Sequence, residues 1–574
     1  MSKITRRRLL KAGTALGVAG SIPHSIGKTT AQSSPVLEKY VQSLPIPAVR
    51  DPDGKRKGAE YHEVSVTEFT QNLHPDLPDT TVWGFDGSFP GPIIEGRRNQ
   101  QLKVRYDNSQ LPSDHLFDVD ERIRGTKPED YPQYDGPVPE ARTVTHFHGL
   151  NIEHASDGQA TMWKSPDGIT GPEFVTHVHD IPNRQSRCTT TYHDHALGIS
   201  RLNVYAGLAG FYFIRSQTEE NLNLPSGEYE IPLMLQDRSF NEDGSLYYPD
   251  SFVANFAGDT AVVNGAVWPY LEVEPRRYRF RCINQANGRT FNLHLKNESG
   301  TAVPTMYQFA ADHGFLESVV PLGPEHTLKS LLLSPFERAD IVVDFSEYAG
   351  ETFTVTNTAE FPFRGKNEGI DLPEVFQIRV ADPSTKPTDT SADPVDLALP
   401  SNSDINKNAA RTTRHMVLSM TMDKYGLPLH LINHSRFFEE TTVKPQLDTT
   451  EIWELENTTH HTHPIHLHLV DFSVIGRGPN GTKEPAPNEQ VGKDVVRVNP
   501  GETVRILVKF GDFTGKFPFH CHILEHEDHE MMRPFEVVTG SDDNSEENNV
   551  DILPALKGED SHGTAPLGWD VYGL

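Results

Sequence analysis

Cysteine is scarce in this chain. Its 574 residues hold three, Cys188, Cys282 and Cys521, which excludes a disulfide-stapled framework and leaves at least one thiol needing another purpose. Basic charge is short as well. Lysine and arginine number 52 against 80 aspartates and glutamates, a formal net charge of −28. A phosphate-binding surface needs a basic field, so nucleic acid is excluded as a partner. Beyond the N-terminus there is no run of about 20 apolar residues to span a bilayer as a helix. Stretches of helical period are rare too. What recurs is short alternating or β-branched runs between Gly, Pro, Asn and Asp breaks, as in Tyr61 to Phe69, Arg142 to His148, Tyr278 to Ile283, Arg338 to Phe345 and Thr503 to Phe510. With 43 prolines and 43 glycines for turns, the chain is expected to be all-β, made of sandwiches or barrels. Its length predicts three or four domains at roughly 150 residues each.

The first 31 residues read as a processing segment. Thr5-Arg6-Arg7-Arg8-Leu9-Leu10-Lys11, followed by weakly apolar Ala12 to Ile22, resembles a twin-arginine export signal with cleavage near Ala31. A secreted, extracellular protein delivered by the twin-arginine machinery is therefore expected. That pathway exports folded proteins, which suits a chain carrying a cofactor. The acid excess reads as adaptation to high salt, where hydrated carboxylates keep a surface soluble while salt screens their repulsion. A segment rich in Pro, Ser, Thr and Asp, residues 381–408, is expected to be a linker. A softer boundary falls near Ser216 to Glu228, and residues 541–574 read as an acidic tail.

The chemistry lies in the 27 histidines. Four His-x-His units stand out: His146-Phe-His148, His193-Asp-His195, His466-Leu-His468 and His520-Cys-His522. On a strand, side chains two apart share a face, so each unit presents two imidazoles to one ion or cluster. His177-Val-His179 has the same spacing and is expected to be accidental. In the last unit the Cys521 sulfur faces away from the flanking rings, with His526 five residues on and Met531 five beyond. A thiolate, imidazoles and a weak axial thioether are the ligand set of a blue-copper centre, and His463 can supply the missing imidazole from a neighbouring strand. Structural zinc has a different spacing. His460, His461 and His529 lie outside the ligand spacing and are expected at the surface or behind the ligands.

These segments resemble the copper signatures of the multicopper oxidases: His146-Phe-His148-Gly149, Tyr192-His193-Asp194-His195-Ala196, His463-Pro-Ile-His466-Leu-His468 and His520-Cys521-His522 through His526 and Glu527 to Met531. The resemblance is closest to the spore-coat laccase, bilirubin oxidase and phenoxazinone synthase branch. Arg201 to Gly210 and Met531-Met-Arg-Pro-Phe535 extend it, so that it covers roughly Tyr61 to Val538. Together with the acidity and the export signal it suggests a halophilic archaeal laccase. The resemblance implies three cupredoxin-like Greek-key sandwiches: 50–216 with type 2 and type 3 ligands, 228–380 as a ligand-free spacer, and 409–540 with the type 1 copper and further ligands. It implies four coppers per monomer. Type 1 would take His463, Cys521, His526 and axial Met531. Type 2 would take His146 and His466. The type 3 pair would take His148, His193, His195, His468, His520 and His522. By the same resemblance, small phenolic or related aromatic reductants give single electrons through the exposed ring edge of His463. Cys521 carries the electrons to a cluster where dioxygen becomes water, and Asp157 and Glu527 relay protons.

Other readings stay open at this point. A metallo-oxidase for Cu(I) or Fe(II) would want a methionine-rich or carboxylate-lined entry, and nine methionines without a Met-x-x-Met cluster disfavour the cuprous version. Bilirubin oxidation needs the same copper set. A non-catalytic cupredoxin scaffold at the cell surface would be marked by degenerate ligands, and none is missing. Export also permits a Cys188–Cys282 bridge and glycosylation at the sequons of Asn297, Asn433, Asn457 and Asn480. A monomer is expected.

Overall fold

The computed structural model of the protein describes residues 34–300, 302–382, 388–400 and 407–540. The expected export segment, residues 383–387 and 401–406 of the expected linker, and the acidic tail lie outside them. The alternating runs form strands. Ala59–Gln71 buries every second or third side chain, and Thr503–Phe510 buries Val504, Ile506 and Val508 on one face, as half-buried strands should. The sheets come in pairs along the chain. A five-stranded sheet through Ala59–Gln71 and Leu102–Asp107 accompanies a four-stranded one ordered Gly91–Arg97, Ala209–Arg215, Cys188–Asp194, Thr145–Phe147. An eight-stranded and a five-stranded sheet occupy the middle of the chain. A five-stranded sheet through Ala410–Met422 and Thr449–Asn457 then accompanies a four-stranded one ordered Val495–Val498, His463–Leu467, Gly515–Cys521, Met532–Val537. The fold is all-β and sandwich-built, as expected. In the last sandwich Trp453 fills the core, its ring meeting Phe510, Phe519 and Phe535.

Three features depart from the sequence reading. Residues 34–49 run along two sandwiches: Tyr40 N donates to Trp268 O at 2.9 Å and Leu44 N to Tyr270 O at 2.7 Å on the middle one, and Ile93 N of the first donates to Ala48 O at 2.8 Å. The described part of the linker is pinned: Asp389 accepts from Arg277 N at 2.9 Å and pairs with Arg276 at 3.2 Å, and Leu397 and Leu399 pack near Phe309 and Phe315. Composition shows that such a segment cannot fold alone but not that it can be strapped to a neighbour. Finally, Cys188 and Cys282 are unbridged, each buried in a different apolar core.

A buried ion cluster ties the first sandwich to the middle one. Arg279 and Arg281 share a face of strand Arg277–Asn284, where Glu219, Glu230 and Asp340 meet them together with Arg187. Asp340 accepts from Arg279 Nη2 at 2.7 Å and from Thr189 Oγ1 at 2.6 Å. Burial alone would raise these carboxyls, but the surrounding guanidiniums outweigh it and hold Glu219 and Asp340 well below the usual carboxylate range and Glu230 at about 2. Their folded-state values are depressed, so their contribution is complete above the ordinary carboxylate pKa of about 4 and is lost as pH falls below it. Removing one partner leaves buried charge uncompensated, so Asp340→Asn is expected to cost about 3–5 kcal/mol in chemical denaturation at neutral pH. A loss under about 1 kcal/mol, the level of a surface pair, would show that the cluster does not bind the two sandwiches.

Candidate metal centre

The two four-stranded sheets bring the histidines together. His146 on strand Thr145–Phe147 lies opposite His193 on Cys188–Asp194, and His466 on His463–Leu467 lies opposite His520 on Gly515–Cys521. Strand alternation turns the intervening residues away. Phe147 enters the first core, and Leu467 and Cys521 enter the last. Asp194 accepts from Val144 N at 2.8 Å, Ala196 N at 2.9 Å and Asn203 Nδ2 at 2.6 Å, fixing the strand to the helix that follows it.

Eight rings converge between the sheets, and all are buried. Nε2 atoms of His195, His468 and His520 lie 3.2–3.3 Å from one another. His522 Nε2 lies 3.2 Å from His148 Nδ1, with His193 completing that trio. His146 and His466 have Nε2 atoms with no hydrogen-bond partner and stack on His468 and His148 at centroid distances of 3.9 and 3.8 Å. The far nitrogens are otherwise engaged. His146 Nδ1 donates to Asp157 O at 2.5 Å, His466 Nδ1 to Asp494 O at 2.8 Å and His193 Nδ1 to Asp194 O at 2.9 Å. His468 Nδ1 meets Asp157 Oδ2 at 2.8 Å, and His148 Nε2 meets Asp494 Oδ1 at 3.1 Å. Glu527 lies between two further rings, 3.4 Å from His195 Nδ1 and 3.1 Å from His520 Nδ1.

That arrangement fits bound metal. A neutral imidazole carries one N–H, and every far nitrogen except His522 Nδ1 faces an oxygen on which to spend it. The inner nitrogens then face one another as bare lone pairs, which only a cation relieves. Burial, reinforced by neighbouring rings, pushes His146, His193, His466, His468 and His522 well below the usual histidine range, so no proton takes the cation's place. Burial raises Asp157 well above the carboxylate range. For Glu527, burial is outweighed by His520 and His195, which hold it below its ordinary value.

A second site lies on the other face of the same strand. Cys521 Sγ is 3.5 Å from His463 Nδ1 and 3.6 Å from His526 Nδ1. Met531, fully buried in the same core, is held by Cys521 N donating to its carbonyl at 3.0 Å and by its own N–H donating to His526 O at 2.9 Å. Burial pushes the Cys521 thiol well up, so a cation must displace its proton to make a thiolate.

The exposed edge expected for His463 is absent. Its ring is 0% exposed, and Nε2 lies 2.7 Å from the buried Thr459 Oγ1. His526 is also 0% exposed, but the side chain over its outer nitrogen is half-buried rather than buried: Nε2 lies 3.2 Å from Asn255 Oδ1. His177 and His179 stand outside both sites, with His179 Nδ1 donating to Ser156 O at 2.7 Å. His460 is exposed and His529 buried. His461 is also buried, packing on His463 at 4.7 Å. Sequence reasoning missed His430, which stacks on His526 at 3.8 Å, and Asp494. Neither carries a spacing signal. It also missed Asp528, which accepts from Ser200 N at 3.0 Å and Arg201 N at 2.9 Å and so locks the ligand-bearing turn to the first sandwich. The resemblance around Arg201 was its one trace.

Comparison with known proteins points the same way. Residues 399–541 match the multicopper oxidase family. Over 551 residues the chain is 58% identical to a laccase of Haloferax volcanii, covering 96% of this chain and 94% of that one. It is 41% identical over 529 residues to a laccase of Bacillus subtilis, covering 87% and 99%. A crystal structure of a multicopper oxidase from Aquifex aeolicus superposes with a TM-score of 0.70 at 26% identity, covering 87% of this chain and all of that one.

With copper supplied, the Cys521 site should give an intense blue thiolate-to-metal absorption. Cys521→Ser should abolish it while leaving the copper held by the eight-ring site measurable by mass spectrometry. Blue colour surviving the substitution would remove Cys521 from the site.

Proposed function

The chain belongs to the multicopper oxidase family and is an oxidoreductase of the laccase kind, and from that premise we propose how its residues divide the work. His463, Cys521 and His526, with Met531 as the weak axial partner, hold the type 1 copper. His146 and His466 hold type 2. His148, His193 and His522 hold one member of the type 3 pair, and His195, His468 and His520 the other, which makes four ions per monomer. Bound copper supplies one-electron oxidation of phenols and aromatic amines and four-electron reduction of dioxygen to water. The observation that carries the reading is the run His520-Cys521-His522, whose alternating side chains serve both sites at once.

The protein's own groups do the rest. Asn255, half-buried over the fully buried His526, forms the contact for the reductant, in place of His463. Asn255 Oδ1 accepts from the ring, and its Nδ2 is left to donate to a substrate oxygen. Thr459 holds His463 from behind. Asp157 and Glu527 sit on outer nitrogens of one trio, Asp157 on His468 and Glu527 on His195 and His520, and are the carboxyl groups that relay protons for water formation. Packed sheets on both sides keep bulk water out.

We also assign the N-terminal basic cluster to twin-arginine export and the net charge of −28 to life in strong salt. Of the four sequons, Asn480 is the one with an exposed side chain and is the candidate for glycosylation. Asn297 and Asn457 are buried and Asn433 half-buried.

Three outcomes are expected. The copper-loaded enzyme consumes one dioxygen for every four one-electron oxidations of a simple phenol, without peroxide. Asn255→Ala then raises KM for that phenol about 2–10-fold, the worth of one hydrogen bond, with the blue absorption unchanged. Accumulating peroxide would overturn the four-electron reading, and an unchanged KM would remove Asn255. Activity and denaturation midpoint should both rise from dilute buffer towards molar salt. An optimum in dilute buffer would refute the halophilic assignment.

A further inference from the structure

The middle sandwich carries no ligand motif, yet it reaches the eight-ring site. Phe336 is buried and lies flat on His522, with centroids 3.6 Å apart and planes at 18°. It also packs on His193 at 4.7 Å and on His148 at 5.8 Å. His522 is the ring that needs such support, because its Nδ1 has no hydrogen-bond partner. Phe336 adopts φ 63°, a left-handed conformation that is an outlier for a bulky side chain. Neighbours hold it there: Phe336 N donates to Asn284 O at 2.6 Å, and its carbonyl accepts from Arg338 Nη1 at 3.1 Å. Strained backbone that is fixed from several sides clusters at functional positions.

Arg338, two residues on, reaches the same trio by a second route. Its guanidinium grips Asp494 with both arms, Nη1 to Oδ1 at 2.5 Å and Nη2 to Oδ2 at 2.6 Å. Asp494 Oδ1 in turn lies 3.1 Å from His148 Nε2. His148 is thereby turned over: it offers Nδ1 to the site, whereas His146, His193, His195, His466, His468, His520 and His522 offer Nε2. Gly149 completes the fit, since at φ +72° a Cβ there would run into the Asp494 carboxylate.

We propose that Phe336 and Arg338 of the middle sandwich are positioning residues for the half of the type 3 pair held by His148, His193 and His522. The inference rests on the copper assignment above. It makes the two halves unequal. His195, His468 and His520 are oriented by the carboxylates of Glu527 and Asp157, which come from the first and last sandwiches. The other half is oriented by an aromatic face and by a carboxylate whose charge Arg338 cancels.

The test uses the full copper-loaded chain. Phe336→Leu keeps apolar volume but loses the flat face. Arg338→Lys keeps the charge but loses the two-armed grip. Each is expected to keep the blue absorption of the Cys521 site, lose near-ultraviolet absorption of the bridged pair, and release copper to a chelator roughly 10–100-fold more readily, the usual effect of removing an outer partner. Wild-type near-ultraviolet absorption and copper retention in both variants, with the blue absorption intact, would overturn the proposal. If Phe336→Leu does not fold, as judged by circular dichroism and loss of the blue absorption, Arg338→Lys decides. Wild-type protein lacking both absorptions under copper would instead overturn the copper assignment itself.

Discussion

Everything at the eight-ring site depends on the far nitrogens. A buried imidazole whose outer nitrogen is free can flip, exchange tautomers or take a proton. Once an oxygen claims that nitrogen, the inner lone pair is committed to a direction. Here backbone carbonyls of Asp157, Asp194 and Asp494 do this for three rings, and the carboxylates of Asp157, Asp494 and Glu527 for others. Two of these acids, Asp157 and Asp494, therefore act twice, through carbonyl and through side chain. Asp157 thereby ties His146 to His468, and Asp494 ties His466 to His148.

The clustering of these rings was legible in the sequence because strand geometry is local. A side chain two residues along returns to the same face whatever the rest of the chain does, so four His-x-His units announced four strands and their shared direction. The thiol between His520 and His522 followed from the same rule read for the opposite face. What surrounds the ligands was not legible. Asp494 and Phe336 meet His148 and His522 only because separate sandwiches stack, and nothing within reading distance of either residue marks it. His463 misled for a related reason. Its place beside Cys521 follows from spacing, but both rings there are buried, and how near each comes to solvent is decided by what covers it, the buried Thr459 for His463 and the half-buried Asn255 for His526.

The middle sandwich illustrates the same divide. Without a motif it reads as a spacer, and by composition it is one. In the structure it supplies Arg279, Arg281 and Asp340 to the ion cluster that grips the first sandwich. It also supplies Arg338 and Phe336 to the cleft between the outer two. Holding two sandwiches at a fixed separation is itself a chemical contribution when the ligands of one site come from both.

The tripeptide His520-Cys521-His522 has a consequence for temperature. Successive Cα atoms are 3.8 Å apart across a trans peptide, a length set by covalent bonds. Loosened packing can swing the rings of two sandwiches relative to each other, but it cannot stretch this ruler. The separation between the sulfur of one site and the rings of the other should therefore hold constant as the protein warms, until the strand Gly515–Cys521 itself comes away from its neighbours. Heat should first show itself as cluster rings drawing apart, while the span from sulfur to rings stays at its native length.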